Sequence, residues 1–227
     1  MGQTGLGEVT GRTMSISASQ SRYFDSAAYH EAGHMTAAVV QGMPIQVRGM
    51  HTDVLGNGIA HYWMRDQGDA KNNSPQDQRE RKLSLVTLYA AWLAQRRFYP
   101  NCSDQRWRGD EVKVCGLLRE IHPTDEAARS ATDKDLRERT GRLVGTYYSV
   151  IEKLAQNLLA KPCKLLPPEE LNGIPRWAEA NYGHSMGGGE VVDFYKTFLP
   201  KANPRILVST GSNYNPSKDT PLFDSLT

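Results

Sequence analysis

The chain has little cysteine, no long apolar run and almost no net charge, and each shortage removes a class of protein. Three cysteines, Cys102, Cys115 and Cys163, are spread over 227 residues with no C-x-x-C pair. That argues against a disulfide scaffold, suits a reducing, cytoplasmic location, and predicts small buried or half-buried side chains. No stretch of about eighteen apolar residues occurs, so no membrane span is expected. A net charge of +2 leaves no excess for a nucleic-acid surface. Arg106 and Arg108 are scattered, and Arg79-Glu80-Arg81-Lys82 interleaves its signs as a solvated helix face does. No G-x-x-x-x-G-K-[ST] phosphate loop is present, which excludes ATP hydrolysis by that route. Residues 1–19, rich in Gly, Ser and Thr without an apolar signal core, read as a disordered lead.

What is present concentrates in one motif. His30-Glu31-Ala32-Gly33-His34 is an H-E-x-x-H sequence inside an Ala-rich apolar run. Two histidines four apart project from one face of an α-helix, about one turn apart. That spacing lets two imidazoles bind one Zn²⁺ while the glutamate between them reaches water at the metal. The flanks favour helix. Asp25 suits the N-cap, Ala28, Ala32 and Ala37 are good helix formers, and Gly42 followed by Pro44 predicts the stop.

Beyond this helix, residues 45–50 and 58–63 read as short strands around a turn-rich segment holding Asp53 and Gly56-Asn57-Gly58. A polar loop over 67–73 leads to a second helix, with Ser74 as cap and Pro75 in its first position. Leu83, Leu85, Val86, Leu88, Ala90, Ala91, Leu93 and Phe98 spread around that helix, which is therefore expected to be central and buried. A polar loop over 101–109 precedes a helical pattern that Asp110 opens and Pro123 stops. A longer helix is predicted over about 133–161, on a stripe through Leu143, Val144, Tyr147, Val150, Ile151, Leu154, Leu158 and Leu159. Residues 167–171 suggest one or two helical turns. Residues 173–227 read as an irregular C-terminal extension with one helix around 190–198.

A catalytic zinc site needs a third protein ligand and a position open to water. The metzincin extension is absent, because Ala37 and Val40 stand where it needs Gly and His. Thermolysin-like sites take a glutamate from a second helix, and the next glutamate here, Glu80, falls on a polar flank. Asp110 follows Gly109 where a loop enters a helix, a place for an inward carboxylate or an ordinary N-cap. His61 and Tyr62 either face a developing oxyanion or simply pack. His51, His122 and His184 have no usable partner spacing.

Ala28-Tyr29-His30-Glu31-Ala32-Gly33-His34 is similar to the A-x-H-E-A-G-H core of FtsH-type zinc proteases, the peptidase half of ATP-dependent membrane proteases. Further stretches follow in that family's order. Val54-Leu55-Gly56-Asn57-Gly58-Ile59-Ala60-His61-Tyr62 resembles its edge strand, and Leu88-Tyr89-Ala90-Ala91-Trp92-Leu93-Ala94-Gln95-Arg96 its second helix. Gly109-Asp110-Glu111-Val112-Lys113-Val114-Cys115 resembles the loop-then-helix that carries its aspartate ligand. Val150-Ile151-Glu152-Lys153-Leu154 and Leu165-Leu166-Pro167-Pro168-Glu169-Glu170-Leu171 resemble its closing helix and short helical end. Asp110 lies 76 positions after His34, a separation in keeping with the family. The departures are Val114-Cys115 in place of a small Ala-Thr pair, a loop from Asn101 unlike the family's Gly- and Thr-rich one, and no ATPase module or membrane anchor.

The resemblance implies a mainly α fold: a helical zincin-type peptidase domain over residues 20–172, with a small β-sheet or hairpin beside the zinc helix. It implies Zn²⁺ held by His30, His34 and Asp110, with Glu31 as the catalytic base. The expected function is a zinc-dependent endopeptidase acting on short or unstructured polypeptides, ATP-independent unless a separate ATPase partner exists, and compatible with a homo-oligomer. The alternative is a non-catalytic zinc-binding or interaction module that retains the peptidase fold.

Overall fold

A computed structural model describes residues 18–63, 74–102, 108–166 and 181–207 of the chain. Four helices form the larger layer: α1 (Ala18–Val40), α2 (Pro75–Phe98), α3 (Arg108–Ile121) and α4 (Glu126–Leu159). Against α1 lies a small sheet of β1 (Ile45–Asp53), β2 (Gly58–Tyr62), β3 (Lys164–Leu166) and β4 (Asn181–Met186), antiparallel in the order β2-β1-β4-β3. A fifth helix, α5 (Gly188–Phe198), packs on β1, and the two-residue β5 (Ile206–Leu207) runs parallel to the start of β1. The expected mainly helical fold with a small sheet beside the histidine helix is present. Among the described residues, no helix is long and apolar enough to cross a membrane.

α1 is the hub. Residues 26–41 are buried without a break, because α2, α4, β1 and β2 all pack around them. Small side chains permit that crowding. A Cβ at Gly33 would fall 2.7 Å from the Ala90 carbonyl oxygen and 2.8 Å from Ala91 Cα, so α1 and α2 nearly touch there. The helix ends as its sequence predicts. Gly42 takes φ +73°, its N–H donates to the Val39 carbonyl, and the Met43 N–H donates to that of Ala38, a Schellman closure. The start differs from expectation. Asp25 is not an N-cap but lies inside a helix that already runs from Ala18, where nothing in the preceding residues breaks it and Arg22 packs over the Phe98 ring.

Ser74 and Pro75 open α2 as expected, and Asp77 completes a capping box by accepting from the Ser74 N–H. α4 begins at Glu126, about two turns before the predicted start, with Asp125 capping the Ala128 N–H. Its first turns are mostly exposed, so no apolar period could announce them. Arg81, expected on a solvated face, is 1% exposed and donates to Glu120 on α3. Cys115 and Cys163 are exposed rather than buried, on the outer side of α3 and in the link from α4 to β3.

The stretch from residue 173, expected to be irregular, is regular over much of its described part. β4 is an internal strand, and α5 buries Val191, Val192, Phe194 and Tyr195. β4 lacks β-branched residues, and its Gly183 is needed where a Cβ would meet the Thr52 carbonyl at 2.1 Å. The strand therefore reads as loop until its partner is known. The helical turns predicted at 167–171, the polar loop at 67–73 and most of the lead at 1–19 lie outside the described residues.

Candidate metal centre

The H-E-x-x-H helix presents both imidazoles toward the start of α3. There the third residue of the helix, Asp110, turns its carboxylate inward. Its Oδ2 lies 3.0 Å from His30 Nε2 and 3.1 Å from His34 Nε2. The N-cap role for Asp110 does not apply, because α3 already begins at Arg108. The three side chains form the one His/Cys/Asp/Glu cluster of metal-binding size among the described residues, with ligand atoms within 4.8 Å of one another. Glu80 is not in it and instead accepts from Gln76.

The protons around this cluster can be traced. Ser26 donates its hydroxyl to the Tyr23 carbonyl, so its lone pair receives the Gln95 amide N–H at 3.1 Å. That fixes the Gln95 Oε1 toward His30 Nδ1, 3.0 Å away, and Nδ1 must carry the hydrogen. His34 Nδ1 lies 3.0 Å from the Thr87 carbonyl, which can only accept, so it too is N–H. Each neutral ring is then left with a bare Nε2 lone pair aimed at a carboxylate oxygen that also has only lone pairs. Three such atoms so close together require a cation among them.

That cation is either a proton or a metal ion. A tetrahedral site with ligand bonds of about 2.0–2.1 Å has edges of about 3.3 Å, and the two edges from Asp110 Oδ2 to the imidazoles, 3.0 and 3.1 Å, lie within a few tenths of that. Two imidazoles and one carboxylate are also the donor types of catalytic zinc sites, with outer hydrogen bonds holding each ring. The residues fit Zn²⁺.

Without a metal, protons take that place. Burial pulls the His30 imidazolium down, but the Asp110 hydrogen bond and the charges of Glu31 and Asp110 outweigh it and hold His30 above its ordinary value. Burial pushes the Asp110 carboxyl up. The His34 charge, the two imidazole hydrogen bonds and the His30 charge reverse that and hold Asp110 well below the usual carboxylate range.

Glu31 lies between the ligands in sequence and is 5% exposed. Burial raises its carboxyl above the ordinary value despite the nearby histidines, which makes it a stronger base than a solvated carboxylate. Its neighbour is the first residue of β2: a Cβ on Gly58 would fall 2.5 Å from both Cγ and Oε1 of Glu31. β2 thus runs past the cluster, with Gly58 beside Glu31 and the Tyr62 hydroxyl 3.5 Å from His34 Nδ1. Burial, then the charges of Asp110 and Glu31, keep Tyr62 a neutral phenol. His61 points to the opposite face of the strand, where its Nε2 meets His51 Nε2 at 3.2 Å. It cannot serve as an oxyanion partner from there. His122 pairs with Thr132, and His184 donates to the Lys161 carbonyl.

Sequence reading brings together His30, Glu31, His34 and Asp110 but misses Ser26, Gly33, Gly58, Thr87 and Gln95. Thr87 and Gln95 left a trace, as buried polar residues about two turns apart in the mostly apolar later half of α2. Gly33 left another, since a glycine inside a helix costs about 1 kcal/mol against alanine and marks close packing.

No protein-family model matches the chain, and comparison with curated proteins finds no match.

Proposed function

We propose that the protein is a zinc-dependent endopeptidase acting on short or unstructured polypeptides. The observation that carries this reading is the convergence of two bare Nε2 atoms and one carboxylate oxygen beside a buried glutamate. The likeness of Ala28 to His34 to the FtsH-type motif supports it independently. His30, His34 and Asp110 would hold the ion, the rings fixed as Nδ1–H tautomers by Gln95 and Thr87. When bound, Zn²⁺ supplies Lewis acidity, polarising a carbonyl and making water acidic near neutral pH. Glu31 accepts a proton from the attacking water at its carboxylate and returns it to the departing amine. Gly58 leaves room for that carboxylate, and burial keeps bulk water from it.

Among the described strands β2 is an edge, with β1 on one side only. An extended peptide laid along it would pass Glu31 and then His34, held by backbone hydrogen bonds that are blind to side chains. Cys115 and Cys163, exposed and outside any disulfide, suit a cytoplasmic setting. A separate ATPase would be needed only for folded substrates.

The test is digestion of casein and a peptide library by wild type beside Glu31→Gln. Wild type should cut internal bonds, and Glu31→Gln should keep its zinc while cleavage falls about 10²–10⁴-fold. A wild type that binds zinc yet cuts nothing would establish the other reading, a non-catalytic zinc-binding module.

A further inference from the structure

We propose that Lys113 is a positioning residue that confines Asp110 to one-oxygen ligation and so sets which cation the centre prefers; this rests on the metal-centre reading. Asp110 divides its two oxygens between different partners. Oδ2 faces both imidazoles at 3.0 and 3.1 Å, while Oδ1 accepts from Lys113 Nζ at 3.2 Å. Lys113 stands one helical turn further along α3, so the helix itself brings the ammonium over that oxygen. The contact lies at the rim, with the Lys113 side chain 45% exposed and that of Asp110 11%.

The division has a chemical consequence. A carboxylate that offers both oxygens raises the coordination number and suits larger, oxygen-preferring cations. One oxygen beside two imidazoles suits four-coordinate Zn²⁺ and leaves a position open. With Oδ1 engaged by an ammonium, the second mode is closed. The same positive charge offsets one of the two buried carboxylates, so the centre's net charge is less negative and less attractive to any divalent cation.

Co²⁺ reports the difference, because its visible absorption is intense in four-coordinate sites and weak in higher ones. The full chain should bind one Co²⁺ with an intense spectrum. Lys113→Met, which keeps the stem but has no donor, should still bind one Co²⁺, with the absorption falling by about half or more as a second oxygen joins. Competition in the same variant should shift the Mn²⁺-over-Zn²⁺ preference about tenfold toward Mn²⁺, the low end of what outer contacts contribute. Lys113→Arg, which keeps a donor on Oδ1, should restore both. A Lys113→Met protein with the wild-type spectrum and preference overturns the proposal, as does one that stays folded by circular dichroism but loses the metal altogether. A wild type that takes up no Co²⁺ overturns the metal-centre reading along with it.

Discussion

Two buried histidine pairs lie on opposite faces of the same strand, and they are almost equally spaced. The rings of His30 and His34 are 4.8 Å apart, those of His51 and His61 4.9 Å apart. The difference lies in what the Nε2 atoms meet. Those of His51 and His61 meet each other at 3.2 Å, and one N–H between them satisfies both, since neutral imidazole offers one donor and one acceptor. Those of His30 and His34 meet a carboxylate oxygen, with their Nδ1 hydrogens already committed to Gln95 and Thr87. No arrangement of neutral groups satisfies the second set. Histidine spacing alone therefore does not make a candidate metal centre; a third acceptor and a locked tautomer mark one.

The sharpest way to break this comparison is to delete one member of each pair. His34→Ala should take the purified protein from about one zinc per chain to none, measured by metal analysis after dialysis. His61→Gln should leave the zinc content unchanged. Equal losses in the two variants would erase the distinction drawn between the pairs.

A smaller effect is expected where β2 meets Glu31. In Gly58→Ala the new methyl would collide with the end of a flexible side chain rather than with backbone. The fold and the zinc should survive while Glu31 swings aside. A displacement of about 1 Å can cost about 10²-fold in rate, so cleavage should fall by about that factor with the thermal midpoint little changed. Full activity in this variant would mean that the glutamate does not work from the observed position.

The comparison also explains what was legible in the sequence. Helix periodicity and capping chemistry are local, so α2 with Ser74-Pro75 and the Gly42 stop of α1 could be read from neighbouring residues. The H-E-x-x-H spacing is local too. Asp110 needed contact across 76 positions, and geometry on one helix leaves it indistinguishable from an N-cap; resemblance to a known motif singled it out. β4 and Gly58 were beyond reach for the same reason, and Gln95 and Thr87 showed only as polar residues in an apolar stretch, with no sign of what they hold. Their roles exist only once α1, α2 and the sheet are packed together. The first turns of α4 were hidden differently, because exposed residues carry no apolar signal.

Gln95 tests the locking half of the argument. In Gln95→Leu, His30 loses the acceptor that fixes its tautomer, and the Ser26 hydroxyl loses its donor. Zinc affinity should fall about 10–100-fold, as for other outer partners of ligating histidines, read by competition with a chromophoric chelator. An affinity equal to wild type would show that the tautomer is set by the metal itself and not by the protein.

The smallest expected effect concerns the metal-free protein, where protons stand between the ligands. Asp110 is held below its ordinary value, so its contribution to stability is complete above about pH 3.9 and is lost as pH falls through its lowered folded value. His30 is held above its ordinary value, so its contribution is complete below about pH 6.5 and fades as pH rises through the raised one. The two overlap between those limits, and thermal melting of the metal-free chain should show its greatest advantage over Asp110→Asn there. Added zinc should reverse the upper limb, because the ion takes the place of the proton: affinity and stability then rise together as His30 deprotonates. The His51–His61 pair, being no metal ligand, should contribute nothing to that reversal. Melting curves with and without zinc in His61→Gln should therefore differ as they do in wild type, and a lost reversal would tie the two pairs together after all.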